Sequence, residues 1–355
     1  NIIKIKKGIP PFFEVGMDKL LKNKLILKNI TFKKQIKDNK EKLDAIIITL
    51  GTPIDEWNNP VIQDLLNIVN LSLSCLKTNG ILILRSTVVP GLNKKLFKKL
   101  DKKKINLLYC PERIIQGCAL IELTKIPQII GSNNNKINNQ LKKGVKKIFF
   151  FTKKFIYTNY EEAELIKLFN NFWRYGTFAL SNQMYLIAKN FNQSYQKILK
   201  NMKDSYPRAA DIPSAGFAAG PCLYKDTQQL FSSFNGNFSL GKAAIEINEK
   251  LADYVALDVA KLSKQKKIIL LGAAFKANND DFRDSLSFRL YKILNRISFN
   301  KVVLYDPFVK HEKVSKNAKE LNYKKNFFVL ATPHKIFKGM LKKIPKENLY
   351  NIWNN

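Results

Sequence analysis

The chain has few of the residues most often recruited for proton transfer and metal binding. Its two histidines, His311 and His334, exclude a His-rich zinc site and leave acid–base work to lysines and carboxylates, and no metal is expected. Its four cysteines, Cys75, Cys110, Cys118 and Cys222, form no CxxC pair. A chain of 355 residues can bury a core without disulfide staples, so a reducing, cytoplasmic setting is expected. No apolar run reaches the ~20 residues of a membrane span. The opening NIIKIKKGIPPFFE has neither an initiator Met nor a signal-peptide pattern. It reads like the middle of a domain, and the expectation is of an N-terminally truncated chain.

Positive charge, by contrast, is abundant: 61 Lys and Arg against 28 Asp and Glu, a formal net charge of +33. Such a balance suits a nucleic-acid binder. The lysines, however, are spread over the whole chain, and arginine, the better reader of bases, is scarce. The reading adopted is a general field that attracts anionic small molecules, with neither nucleic acid nor membrane as a partner.

Apolar runs that end in polar loops recur along the first part of the chain: EKLDAIIITLGTP, GILILRSTVVPG and INLLYCPERII. Helical spacing in VIQDLLNIVNLSLSCL and LNKKLFKKL separates them, and PQIIGS and KKIFFF read as further strands. Alternating strands and helices imply a parallel sheet with ligands at the carboxyl ends of its strands, so LGTP, RSTVVPG and CPER are expected to face one crevice. Long helical patterns follow, and a second α/β pattern begins at KKIILLGAAFK. The fold class expected is α/β, with two Rossmann-like parallel-sheet domains (1–155 and 263–355) joined by a helical middle (156–262). In the second sheet only Gly272 stands where a dinucleotide fingerprint wants three glycines, so a nucleotide site of another kind is expected there.

Between the long helices lies GFAAGPCLYKDTQQL. Gly220 and Pro221 punctuate a turn, and the residues after Asp226 continue as a helix. Cys222 is therefore expected at a helix N-terminus with Lys225 three residues on, two features that favour a thiolate nucleophile. The other reading, a small buried hydrophobe, is open on this stretch alone.

Six stretches in order, LGTP, STVVPG, CPERIIQGCALIEL, EAELIKLFNN, GPCLYKD and LGAAFKANNDDFRDS, together resemble the UDP-sugar 6-dehydrogenase family, which includes UDP-glucose and UDP-N-acetylhexosamine dehydrogenases. The resemblance implies an NAD-binding domain, a helical dimerising middle and a UDP-sugar-binding domain, and hence a homodimer or higher homo-oligomer. It implies an NAD-dependent, four-electron oxidation of a UDP-sugar C6 alcohol to the uronate, with an N-acetylhexosamine preferred, for polysaccharide biosynthesis. It also implies that the Gly-rich phosphate loop and the acidic ribose partner lie ahead of Asn1. A UDP-sugar-binding fragment without activity is thus the alternative.

Carried over by motif, Cys222 is the nucleophile that captures the aldehyde. Lys167 and Asn171, four apart on one helix face, stabilise an alkoxide-like oxygen and touch substrate; a solvated lysine beside a helix-terminal Asn is the alternative. Asp226 orients a water or the lysine, or simply caps the next helix. Glu112 is the base for hydrolysis and a substrate contact, or a loop carboxylate paired with Arg113. Thr87 bonds the water or the substrate. Gly51, Thr52, Pro53, Ser86 and Thr87 are cofactor contacts. Lys225, Lys276 and Arg283 are assigned to the UDP-sugar, with Lys225 and Arg283 also assigned to the cofactor. Gly216 and Gly220 let the backbone approach the sugar nucleotide, and Asp281 ties down the loop carrying Arg283. Cys75, Cys110 and Cys118 are read as unreactive, and His334 is given no catalytic part.

Overall fold

A computed structural model describes residues 2–23, 28–36, 41–133, 137–218, 220–318 and 321–353. They gather into two compact units, Asn1–Asn171 with Gln228–Gly236, and Phe172–Thr227 with Asn237–Asn355.

The first unit begins with two short helices, α1 (Ile2–Lys6) and α2 (Met17–Lys22), and continues as β1 (Leu43–Ile48), α3 (Gln63–Cys75), β2 (Leu76–Leu84), α4 (Leu92–Asp101), β3 (Asn106–Tyr109), α5 (Ala119–Lys125), β4 (Gln128–Ser132), α6 (Asn139–Ile148) and β5 (Phe155–Asn159). The strands lie side by side in chain order. β1, β2 and β3 are parallel, as the sequence predicts, but β4 meets β3 antiparallel through the single pair Tyr109–Gly131, and β5 follows β4. The sheet is therefore mixed. The link from β3 to β4 holds the seven-residue α5, about 10 Å of helix. The core includes Leu82, Leu84, Leu107 and Ile129, all nearly inaccessible.

KKIFFF is not a strand. Lys146–Ile148 end α6, and a turn follows. Val145 and Phe149, four apart, are buried on one helical face while Phe150 is exposed. The helical period outweighs the short run of aromatics.

The second unit holds most of the helix α7 (Tyr160–Asn190), α8 (Tyr195–Lys203), the start of α9 (Leu223–Ser233), α10 (Ser239–Leu262), β6 (Ile268–Leu271), α11 (Leu286–Ile297), β7 (Val302–Tyr305), β8 (Val314–Ser315), β9 (Phe327–Leu330), α12 (Lys338–Leu341) and β10 (Leu349–Asn351). Its sheet is wholly parallel in the order β10-β9-β6-β7-β8, with the chain reversing direction of travel beside β6. Alternate residues feed two cores. Ile268, Leu270, Val302, Leu304, Phe327 and Val329 pack with α10 and α11, and the intervening residues pack with Phe337 and Ile344.

Candidate active site

In the first unit the loops after β1, β2 and β3 carry the expected residues. Thr52 is buried and its hydroxyl donates to the Thr87 carbonyl at 2.6 Å, which brings LGTP and STVVPG together. Ser86 is buried, and its hydroxyl has no hydrogen-bond partner among the described residues. A Cβ added at Gly51 would meet nothing within 4 Å. An orphaned hydroxyl beside open backbone fits a bound polar ligand, since a buried hydroxyl left unpaired costs about 1–3 kcal/mol. Of the expected cofactor contacts, Ser86 with its orphaned hydroxyl and Gly51 with its open backbone are the two whose surroundings fit NAD.

Glu112 does not pair with Arg113 as one reading held. Its Oε2 takes Arg85 of β2's end, and its Oε1 accepts the N–H groups of Arg113 and Ile114 at 2.9 and 3.0 Å. The Arg113 side chain instead donates to the Pro127 carbonyl. Arg85 is the better partner because its side chain is 9% exposed and needs a counter-charge, while Nη1 donates to Gln128 at 2.9 Å. Cys110, on the same loop, is fully buried, and burial pushes its thiol up to about 12 against the pull of Arg85. A buried thiol held that high is protonated at neutral pH and is a poor nucleophile.

Lys167 and Asn171 lie one turn apart on α7, and both are buried, so the solvated reading of the lysine falls. One turn earlier stands a residue that sequence reasoning passed over. Glu164 is fully buried and accepts Gly91 N–H at 2.6 Å, Asn93 N–H at 2.9 Å and the Asn93 amide at 2.7 Å. Gly91 is the N-cap of α4 and Asn93 lies in its first turn, and α4 has no cap from its own side chains. A carboxylate from α7 thus caps α4 and fixes α7 against the STVVPG loop. The signal was present: Glu164, Lys167 and Asn171 form a polar stripe at i, i+3 and i+7 of a largely apolar helix.

In the second unit Cys222 is exposed and immediately precedes α9, whose first turn closes with Asp226 N–H on the Cys222 carbonyl at 2.9 Å. The buried-hydrophobe reading is thereby set aside. Lys225 is not simply a cation offered to the sulfur, because its ammonium pairs with buried Asp226 at 2.5 Å. Arg283 is a cation whose charge interacts with Cys222. Asp281 holds that guanidinium, at 3.0 Å to Nε and 2.6 Å to Nη2, and its main-chain carbonyl accepts Phe275 N–H. The expected tie of the loop by Asp281 is found.

The two glycines approach the protein's own rings. A Cβ at Gly216 would lie 2.3 Å from the Trp353 indole, and one at Gly220, where φ is +105°, would lie 2.5 Å from Phe275. The absence of a side chain at each is what makes room for those rings. Buried Asn182 clamps Gly216 from both sides, accepting its N–H at 2.8 Å and donating to its carbonyl at 3.1 Å.

The lone Gly272 also has its explanation. The N–H groups after it, on Ala273 and Ala274, donate to the Asp306 carboxylate at 2.7 and 3.2 Å. In a dinucleotide fold such groups meet a phosphate; here an internal carboxylate takes the place. Burial works against that charge, but the hydrogen bond from His334 and the N–H groups of Ala273 and Phe308 hold the Asp306 carboxyl below its ordinary value.

Residues 1–149 match the NAD binding domain of the UDP-glucose/GDP-mannose dehydrogenase family, 161–250 its central domain and 269–352 its UDP binding domain. Among curated proteins, the UDP-N-acetyl-D-mannosamine dehydrogenase of Pyrococcus horikoshii is 27% identical over 96% of this chain and 82% of its own length. That of Methanococcus vannielii is 28% identical over 97% and 80%. Among solved structures, a UDP-D-ManNAc dehydrogenase from Pyrococcus horikoshii superposes with a TM-score of 0.84 at 23% identity, covering 99% of this chain and 91% of that one. A UDP-glucose dehydrogenase from Pyrobaculum islandicum gives 0.85 at 18%, covering 99% and 86%. These structural likenesses establish the same fold. Three domains of one family, matched in the family's order along the length of one polypeptide, leave a single assignment: this chain belongs to the UDP-glucose/GDP-mannose dehydrogenase family.

Proposed function

We propose that this NAD-dependent UDP-sugar dehydrogenase oxidises the C6 alcohol of a UDP-N-acetylhexosamine, N-acetylmannosamine ahead of N-acetylglucosamine, to the uronate, for polysaccharide synthesis in the cytoplasm. The observation that carries the chemistry is Cys222, exposed at the start of α9 within reach of Arg283's charge. The sugar is supported by the names of the relatives just given. The roles divide as cofactor binding over 1–155, dimerisation with the cysteine loop over 156–262, and UDP-sugar binding over 263–355.

NAD, when bound, accepts the two hydrides that leave the substrate carbon. This chain's residues do the rest. The Cys222 thiolate adds to the aldehyde carbon left by the first oxidation: a C–S bond forms, the C=O π pair moves to oxygen, and the thiohemiacetal is produced as its alkoxide. Loss of the second hydride gives a thioester; water then adds to it, and the thiolate leaves as the C–S bond breaks. Each turnover consumes one water and releases three protons with the carboxylate. Lys167 and Asn171 donate to the oxygen that bears the developing charge. Glu112 takes the proton of the attacking water, Thr87 bonds that water or the substrate, and Asp226 with Lys225 orients the groups beside the sulfur. Lys276 and Arg283 meet the diphosphate.

The test is NADH and uronate yield with UDP-N-acetylmannosamine, UDP-N-acetylglucosamine and UDP-glucose. Two NADH per uronate are expected, with kcat/KM for UDP-N-acetylmannosamine at least about tenfold above UDP-glucose. UDP binding without any NADH would instead favour the inactive sugar-nucleotide-binding protein.

The dimer is supported by an unpartnered apolar stripe. Trp173, Leu180 and Ile187 recur every seven residues on α7 with exposures of 71%, 55% and 51%, and Leu240, Tyr254 and Leu257 are exposed on α10. Such an exposed heptad face suits a second copy of the chain. The double change Leu180→Glu with Ile187→Glu is expected to convert the dimer to monomer in light scattering at micromolar concentration; an unchanged mass would exclude this face. Among the described residues no helix is long and apolar enough to cross a membrane.

A further inference from the structure

The segment after β6 is pinned at two points by groups that the reaction itself does not use. At its start Asp306 accepts Ala273 and Ala274 N–H. At its end His334 Nδ1 accepts the Asn278 N–H at 2.8 Å. A main-chain N–H can only donate, so Nδ1 is unprotonated, and the ring's proton sits on Nε2, 2.9 Å from Asp306 Oδ2. Asp306 further accepts Phe308 and Val309 N–H at 2.8 and 3.1 Å. Both side chains are almost wholly buried, with the imidazole between Phe308 and Phe337. Asn278 completes the link: its backbone is left-handed, with φ +54°, and its Oδ1 accepts Lys335 N–H at 2.9 Å, directly after His334. Between the two pins stand only Phe275, Lys276 and Ala277. Phe275 rests on Gly220, two residues before Cys222.

We infer that His334 is a positioning residue for UDP-sugar recognition: through Asn278 and Asp306 it fixes the arch 275–277, which carries Lys276 and seats Phe275 on the cysteine loop. The inference rests on the reading above that Lys276 meets the substrate diphosphate. A neutral histidine suits the part, because it donates at one end and accepts at the other across a dry gap that no lysine or carboxylate could bridge in the same way.

The experiment measures UDP affinity by calorimetry and KM and kcat for the UDP-sugar in four full-length variants: His334→Leu, His334→Gln, Lys276→Ala and the double His334→Leu/Lys276→Ala. His334→Leu is expected to weaken UDP binding and raise KM by about tenfold with kcat within about threefold, as for a mispositioned binding group. His334→Gln, with one donor and one acceptor at similar reach, is expected to recover most of the loss. The double variant should be no weaker than Lys276→Ala alone, because the two act through one contact. Losses that add, or a fall in kcat with UDP affinity unchanged, would overturn the inference. An unchanged affinity in Lys276→Ala would instead overturn the assignment of Lys276, a separate result. Should His334→Leu not fold, His334→Asn, too short to span both pins, takes its place, and wild-type affinity in it would be equally damaging.

Discussion

Cys222→Ser is expected to lower uronate formation at least about 10³-fold, because a serine hydroxyl is almost never ionised at neutral pH and adds poorly to an aldehyde. UDP affinity should stay within about twofold, since the substitution removes an exposed sulfur and no buried packing. The backbone that starts α9 is untouched: the Cys222 carbonyl still accepts Asp226 N–H. The first hydride transfer does not need the sulfur, so the expected residue of activity is NADH without uronate, one per enzyme if the aldehyde stays bound and one per substrate if it is released. Alkylation gives an independent check. Cys118 is also exposed, and Cys75 and Cys110 are buried. Iodoacetamide should therefore inactivate the wild type and a Cys118→Ser variant alike, with the adduct on Cys222. Full NADH and uronate yield from Cys222→Ser would remove the sulfur from the mechanism.

The same loop shows what local sequence can reveal. Gly220 and Pro221 before a helical pattern place Cys222 at a helix start, and the structure has it there. Apolar runs that end in LGTP, STVVPG and CPER likewise give strands with their loops, because burial and turn chemistry are both written in neighbouring residues. The direction of β4 is not, since a strand reads the same whichever way it pairs. Partnerships across the chain were also hidden. Arg85 and Glu112 are 27 positions apart, Asp306 and His334 are 28, and the glycines at 216 and 220 owe their place to Trp353 and Phe275. His334 looked like a loop residue because it follows a strand and Pro333. Its burial comes from a fold that closes Phe308 and Phe337 around it.

Glu164→Ala should cost about 3–5 kcal/mol, because it strips a buried carboxylate from three donors that it alone satisfies among the described residues. For a unit of this size that is roughly a 10 °C fall in its melting temperature. The donors are the Gly91 and Asn93 N–H groups and the Asn93 amide, and Asn93 is itself fully buried. Two of them belong to the first turn of α4, where the helix dipole adds to the attraction for a negative charge. Glu164→Gln keeps one acceptor oxygen but turns an amide N–H toward a main-chain N–H, so it should fall between wild type and alanine. Activity is expected to drop more than stability alone explains. Lys167 follows Glu164 by three residues on α7, and Gly91 closes the loop that carries Thr87, so the lost cap frees two proposed catalytic groups to move against each other. Melting curves by circular dichroism, with kcat measured well below the lower transition, separate the two effects. A melting temperature within about 1 °C of wild type would mean that water replaces the carboxylate at no cost, and that α7 is held in register by its apolar face alone.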